Sequence, residues 1–219
     1  SHRFVSSEMI KLLDKPVEET KIVTCHLGNG SSISAVKGGK VVDTTMGFTP
    51  LDGVIMGTRS GNIDPAVVSF LMEKENLSPA EINAIMNKKS GFLGVSGVSS
   101  DNRDINKAAS EGNERAKLAL DLFYYSVRKL IGSYAAAMNG LDAIIFTGGI
   151  GENAPEVRQA VCDNMDVFGI KVDADLNNVR GEIRKISTDD SKVQVWVIPT
   201  NEELVIARDT AEVVEALNK

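Results

Sequence analysis

The most informative part of this sequence is a glycine-rich turn between an apolar run and a helix start. It reads Phe146-Thr147-Gly148-Gly149-Ile150-Gly151-Glu152-Asn153, with the apolar run 143–146 before it and Ala154-Pro155 after it. Glycines let backbone N–H groups approach an anion closely, and the first turn of a helix adds unpaired donors and the positive end of its dipole. A strand, a glycine turn and a helix in this order predict a phosphate-binding site.

Two further glycine-bearing turns strengthen this prediction. Cys25-His26-Leu27-Gly28-Asn29-Gly30-Ser31-Ser32 ends the apolar run 21–25, and Met56-Gly57-Thr58-Arg59-Ser60-Gly61-Asn62 precedes a helix opened by Asp64-Pro65. Each places small residues where a chain must turn next to a regular element. Three such turns in one chain predict a nucleotide enzyme.

Composition limits the kinds of partner. The 219 residues carry 24 basic and 30 acidic side chains, for a formal charge of −6, and no long single-sign run indicates nucleic acid or an anionic membrane as a partner. No apolar run approaches the ~20 residues that span a bilayer, and the N-terminus has no signal-peptide pattern. We therefore expect a cytoplasmic protein. The two cysteines, Cys25 and Cys162, lack metal-ligand spacing, so we expect buried thiols.

The predicted elements form a meander followed by alternating helices and strands. A helix over 8–13 comes before strands at 21–25, 32–36 and 41–43, with a hairpin turn at 37–40. Helices follow at 65–74, 79–88 and 114–138; then come strand 143–146, helix 155–168 capped by Asn153, strand 193–198 and helix 202–217. This order predicts an α/β domain that resembles ribonuclease H and the actin and sugar-kinase superfamily, with a mixed sheet flanked by helices.

A dinucleotide-binding domain is the alternative. Residues 149–154 fit the pattern G-x-G-x-x-[GA], and Asp173 or Asp175 lies near the ~20-residue offset of a ribose-binding acid. That pattern should open the first strand–helix unit of an NAD-type oxidoreductase domain, whereas here it follows a meander and several helices. No Walker-type G-x-x-x-x-G-K-[ST] loop occurs.

Individual polar residues remain ambiguous when taken alone. Arg59, between two glycines, is suited to neutralising a transferring phosphoryl group or to a solvated position. His26 is suited to bonding a phosphate or to packing. The run Asp101-Asn102-Arg103 favours a helix cap. Glu202 at a helix start either complements the helix dipole or holds Mg²⁺, and spacing favours neither.

Taken together, the motifs resemble the acetate kinase family, which includes acetate and propionate kinases. The matching stretches cover almost the whole chain: Ser1-His2-Arg3, residues 26–32, 43–50 and 57–65, Lys89-Ser90-Gly91, residues 177–181, and Pro199-Thr200-Asn201-Glu202-Glu203. The resemblance implies reversible phosphoryl transfer from ATP to acetate, which yields ADP and acetyl phosphate and uses Mg²⁺.

The resemblance also implies roles for single residues. Arg59 matches an arginine that stabilises the transition state, and Glu202 matches a magnesium-binding glutamate. Five residues match a turn along the nucleotide phosphates: His26, Leu27, Gly28, Asn29 and Gly30. Eight match residues around the adenosine: Asp101, Asn102, Arg103, Gly149, Ile150, Gly151, Glu152 and Asn153.

Members of this family continue well upstream of the first matching residue. Their N-terminal domain supplies the acetate-binding arginine, a catalytic aspartate and a further magnesium ligand. By this resemblance, residues 1–200 form the C-terminal nucleotide-binding domain, residues 201–219 form a helix that packs on the N-terminal domain, and the protein is a homodimer. Two hypotheses follow: a fragment that binds nucleotide without turnover, or a chain made catalytic by residues on another piece.

Overall fold

A six-stranded mixed sheet organises the protein. The computed structural model describes residues 1–217, apart from the side chains of Glu202 and Glu212. The strands are β1 (Lys21–His26), β2 (Ser32–Lys37), β3 (Lys40–Thr44), β4 (Ala143–Thr147), β5 (Arg184–Lys185) and β6 (Gln194–Val197), in the spatial order β3-β2-β1-β4-β6-β5. β1, β2 and β3 form an antiparallel meander, while β1, β4 and β6 are parallel. The predicted fold class is confirmed, since the parallel strands follow a meander.

The β2–β3 connection is a tight hairpin. Gly38 and Gly39 both have positive φ, 58° and 74°, as the favoured two-residue hairpin turns require. The predicted hairpin is therefore confirmed.

Ten α-helices connect or flank the strands within the described residues. They are α1 (His2–Leu12), α2 (Pro65–Glu75), α3 (Pro79–Lys88), α4 (Gly91–Ser96), α5 (Asn102–Ser110), α6 (Glu114–Met138), α7 (Gly148–Asn153), α8 (Pro155–Cys162), α9 (Ala174–Asn177) and α10 (Glu202–Leu217). The capping box of α3 is present, with Ser78 and Glu81 bonded reciprocally.

Two predicted helices were wrong at their ends. α1 begins at His2 rather than at residue 8, because Val5 and Met9 pack on the sheet and extend the amphipathic face. α8 ends at Cys162 rather than at residue 168, and its N-cap is Ala154. Asn153 is instead the last residue of α7, a short helix formed by the glycine turn itself, and its Nδ2 donates to the Gly149 carbonyl.

The two faces of the sheet have different covers. One face packs against α6, whose buried stripe includes Phe123, Val127 and Ile131. The opposite face packs against α1. Cys25 and Cys162 are free and buried, as predicted, and burial raises the pKa of both thiols, that of Cys162 to about 12. None of the described helices is long and apolar enough to cross a bilayer.

The C-terminal helix α10 contacts α1 through ion pairs. Arg3 pairs with Asp209, and Arg208 Nη1 lies 3.7 Å from Glu8 Oε1. Several apolar side chains of α10 remain exposed, including Ile206, Val213 and Leu217. Residues 218 and 219 of the predicted C-terminal segment lie outside the described residues, and its packing on a further domain stays a prediction.

Candidate functional site

The three glycine turns meet at the carboxyl ends of the parallel strands β1 and β4. β1 and β4 are parallel with His26 opposite Thr147, so the turns that follow them are neighbours. The third turn joins because Gly57 N donates to Asn29 O at 3.1 Å. A Cβ on Gly57 would fall 2.9 Å from the backbone oxygen of Ser100 and 1.9 Å from Asn29 Oδ1, so this approach favours glycine. Tertiary pairing therefore assembles turns that are far apart in the sequence.

Two of these turns, 25–32 and 146–153, border a cavity of about 700 Å³, which we name the glycine cleft. Its volume lies within the range typical of ligand pockets. Eight residues predicted for nucleotide binding line it: Gly28, Asn29, Asp101, Asn102, Arg103, Gly149, Ile150 and Asn153. It is also lined by four residues absent from the predicted site: Ser100, Ala154, Glu156 and Arg180. Arg180 belongs to a matching stretch, but no spacing rule connected it with the glycine turns.

The first turn of α7 offers fewer donors than its sequence suggested. Leu27 O accepts from Ile150 N at 2.8 Å and from Gly151 N at 3.1 Å, and Gly148 N donates to Glu152 Oε1 at 2.8 Å. Three amides of this turn are therefore already bonded within the protein. Gly149 remains exposed to the cleft, because a Cβ on it would meet nothing within 4 Å. A ligand can approach the backbone most closely at Gly149.

Asp101 serves both the helix and the cleft. As the N-cap of α5, its Oδ1 accepts from Arg103 N at 2.9 Å, so the predicted cap is confirmed. The Arg103 guanidinium also donates to this carboxylate and lowers its pKa to about 2. Asn102 is buried, and its Nδ2 has no acceptor among the described residues. A buried amide donor beside a cleft leaves a hydrogen bond for a ligand or water.

The turn 28–30 joins the cleft to a second, smaller cavity. This cavity measures about 300 Å³ and is lined by Ser1, His2, His26, Gly30, Ser32 and Met46. Arg59 lies beside the same turn, because its Nη1 is 3.4 Å from where a Cβ on Gly30 would be. That guanidinium also donates to Pro50 O at 3.2 Å. His26, in the second cavity, and Arg59, beside Gly30, therefore both lie next to the turn 28–30.

His2 is a site residue that sequence reasoning did not single out. Its Nδ1 lies 2.7 Å from Thr24 Oγ1 and its Nε2 lies 2.7 Å from Ser32 Oγ, which connects β1 with β2. Its ring centroid is 6.3 Å from that of His26. Burial, reinforced by the charge of His26, lowers the pKa of His2 to about 4. The ring is therefore neutral at pH 7.

Three predicted nucleotide contacts lie behind the cleft wall. Leu27 is fully buried, and its N–H donates to Thr147 O at 2.9 Å. Gly151 is also buried. Glu152 turns toward the strand ends, where its Oε1 accepts from Thr200 N at 3.1 Å. Their direct contact with a nucleotide stays a prediction.

The predicted metal ligand begins α10, but the side chain of Glu202 lies outside the described part of the protein. Within that part, no three His, Cys, Asp or Glu residues come together as a metal site.

A larger groove of about 790 Å³ lies elsewhere, between α4, α6 and residues 53–63. None of the residues predicted for catalysis or binding lines it. The glycine cleft is the better candidate site because it gathers two of the three glycine turns beside the cap of α5.

Fold and site together define the class. A mixed sheet in which an antiparallel meander is followed by parallel strands, with helices on its faces, is a domain of the ribonuclease-H-like type. The acetokinase family model matches residues 1–208, and the chain belongs to that family. This assignment and the antiparallel meander argue against the dinucleotide-binding alternative.

Known proteins agree with the assignment. The acetate kinase of Methanosarcina barkeri is 60% identical over 215 residues, which cover 98% of this chain and 53% of that protein. The crystal structure of Porphyromonas gingivalis acetate kinase superposes with a TM-score of 0.95 at 50% identity, over 98% of this chain and 54% of that one. A propionate kinase from Francisella tularensis gives 0.87 at 42% identity, over 94% and 52%. The chain spans about half the length of the relatives it matches.

Proposed function

We propose that this chain is the nucleotide-binding half of an acetate kinase, which transfers a phosphoryl group between ATP and acetate. The observation that carries the proposal is the continuity of the glycine cleft with the turn 28–30, beyond which lie His26 and Arg59. A nucleotide with its adenosine in the cleft directs its phosphates over this turn. Its terminal phosphate then reaches the two side chains able to interact with an anion.

The chemistry requires positioning and charge neutralisation. The carboxylate oxygen of acetate attacks the γ-phosphorus, a P–O bond forms to acetate, and the bond to the bridging oxygen breaks with ADP as leaving group. Because negative charge spreads over the phosphoryl oxygens, preorganised donors stabilise the transition state. In this proposal the Arg59 guanidinium neutralises charge on the transferring phosphoryl group, and the backbone of the turn 28–30 lies beside the phosphates.

The proposal extends to cofactor, partners and compartment. We infer that Mg²⁺ accompanies the nucleotide and that Glu202 is one ligand, with further ligands from the phosphates and from the half of the relatives' length that this chain does not span. The same half is expected to bind acetate. Exposed Phe70 on α2 and Tyr125 on α6 supply apolar area that suits a homodimer. A cytoplasmic location agrees with the metabolites involved.

Calorimetric titration of the chain with ADP tests the proposal. We expect saturable binding and a rise in melting temperature with nucleotide concentration. Absence of both at millimolar ADP would contradict it. Binding of NAD in place of ADP would favour the dinucleotide-binding alternative.

A further inference from the structure

Arg158, on α8, is a fully buried cation held by uncharged groups. Its Nη1 donates to Gly151 O at 2.8 Å, its Nε to Asn177 Oδ1 at 2.8 Å, and its Nη2 to Asn177 O at 2.6 Å and Val179 O at 2.8 Å. Burial lowers the pKa of Arg158 to about 10, so the guanidinium remains charged at pH 7. Burying a charge is costly unless its hydrogen bonds are satisfied. Four donated bonds to three residues make this group a rigid cross-link.

The cross-link joins two walls of the glycine cleft. Gly151 belongs to α7, while Asn177 and Val179 belong to the segment 177–181 that leaves α9. A second bond supports the same junction, because Gly181 N donates to Glu152 O at 3.3 Å. The segment is therefore attached to α7 on both sides of residue 180.

Arg180 lies between these two attachments. Its side chain is exposed and lines the glycine cleft, and the described residues give it no hydrogen bond or ion pair. Its position is thus set by its neighbours, while its five N–H donors remain open to a ligand.

The position of Arg180 relative to the two ends of α7 indicates which part of a nucleotide it meets. At one end of α7, a Cβ on Gly28 would lie 4.0 Å from Gly149 N; at the other end, a Cβ on Gly181 would lie 4.0 Å from Asn153 Oδ1. These ends are about 6 Å apart at 1.5 Å rise per residue. With phosphates at the Gly28 end, the segment 177–181 flanks the end where the nucleoside lies.

We propose that Arg180 contacts the purine base of the bound nucleotide and that the buried Arg158 is the positioning residue that holds it there. The proposal rests on the nucleotide site proposed above. A planar guanidinium stacks on an aromatic ring and also offers hydrogen bonds in its plane. Its contribution should therefore depend on the base and not on the phosphates.

The first experiment compares Arg180→Ala with the wild-type chain by calorimetry, using ADP and inorganic tripolyphosphate as probes. We expect a loss of ADP affinity of roughly five- to tenfold and unchanged tripolyphosphate binding. Arg184→Ala is the matched control, because Arg184 is an exposed arginine on β5 whose Nη2 lies 3.5 Å from Glu182 Oε2; it should bind both probes like wild type.

Three results would overturn the contact. Unchanged ADP affinity in Arg180→Ala would place the side chain outside the site, and an equal loss for tripolyphosphate would make it a phosphate ligand. A wild-type chain that binds no nucleotide would overturn both this inference and the proposed function. A failure confined to the variant overturns the inference alone.

A double-mutant cycle tests the positioning role. In an Arg158→Met background, we expect Arg180→Ala to change ADP affinity less than twofold, because Arg180 is no longer held in place. If that background does not fold, Asn177→Ala replaces it. Of the four bonds of Arg158 it removes only the one from Nε, together with the bond that Asn177 Nδ2 donates to Pro155 O. A purely structural Arg158 would lower the melting temperature yet leave the full effect of Arg180→Ala, which would contradict positioning.

Discussion

At the scale of single residues, His2 is the side chain that most directly ties the site to the sheet. Its two ring nitrogens bond hydroxyls on neighbouring strands, so it holds the end of β1 where His26 lies. Arg59 complements it, because its guanidinium lies against the turn 28–30. The two residues serve differently: His2 is a neutral structural link, and Arg59 is a charge beside the path proposed for the phosphates.

Arg59→Ala should lower kcat far more than it weakens nucleotide binding. A cation that contacts the transferring phosphoryl group mainly in the transition state contributes roughly 10³-fold or more in rate. Steady-state kinetics measure kcat once the chain is combined with the half of its relatives' length that it does not span. ADP titration measures nucleotide binding. Arg59→Lys is the control for charge without the guanidinium fork. An unchanged kcat with a large rise in the KM for ATP would show ground-state binding only.

The stability of the chain should fall below pH 6.5 because of His2. Its pKa is about 4 in the folded protein and about 6.5 when unfolded, so between these values only the unfolded state takes up the proton. The folding equilibrium constant then falls by up to about tenfold per pH unit, and the loss is complete below pH 4. Urea unfolding from pH 7.5 to 4.5 measures it, with His2→Asn as the control.

The lowered pKa of His2 fixes the direction in which stability changes with pH. The stability advantage of wild type over His2→Asn should be full above pH 6.5 and shrink toward pH 4. An advantage that is independent of pH would contradict a neutral, buried His2.

At the scale of elements, α7 and α10 differ in how completely they are held. α7 is bonded to Leu27 O, in the turn directly after β1, and to the segment 177–181 through Arg158. α10 has ion pairs to α1, while Ile206, Val213 and Leu217 remain exposed. An isolated helix of this length is marginal in water without an apolar partner.

Amides of residues 205–217 should therefore exchange hydrogen faster in this chain than amides in α6. Exchange measured by mass spectrometry tests this, with the buried stripe of α6 as the internal reference. Adding the half of the relatives' length that this chain does not span should increase the protection of α10. Strong protection of α10 in a demonstrably monomeric chain would refute the need for a further partner.

At the scale of the whole molecule, the glycine cleft gathers eight of the residues predicted for nucleotide binding. By contrast, no cluster of metal ligands forms within the described residues, and the chain spans 53% of the M. barkeri relative. Nucleotide binding and turnover should therefore separate.

The chain alone should bind ADP yet show no acetate-dependent ADP formation from ATP. Mixing it with a separately produced N-terminal half of the M. barkeri acetate kinase should restore ADP formation, because residues from both halves then face one cleft. A coupled kinase assay measures turnover, and Arg59→Ala in the mixture is the negative control. Sustained turnover by the purified chain alone would refute the need for the second half.

Part of this protein was predictable because local patterns carry it. Gly38 and Gly39 set the hairpin, and Ser78 and Glu81 cap the start of α3. The apolar runs indicated the strands β1 to β4. These features depend on residues close in the sequence, whose backbone preferences act before any tertiary contact. The family motifs likewise singled out the glycine turns and Arg59 from the sequence alone, and their roles toward a nucleotide stay predictions.

Other features depended on contacts between distant segments. The Ile150 and Gly151 amides of α7 are satisfied by Leu27 O, in the turn directly after β1. Helix α1 begins at His2 because the sheet buries Val5 and Met9. The cross-link from Arg158 to Asn177 and Val179 has no signature in spacing. The sequence alone thus settled most of the elements and the family, whereas the three-dimensional fold settled which polar groups remain open to a ligand, because a hydrogen bond to a distant residue satisfies a donor that the local sequence leaves open.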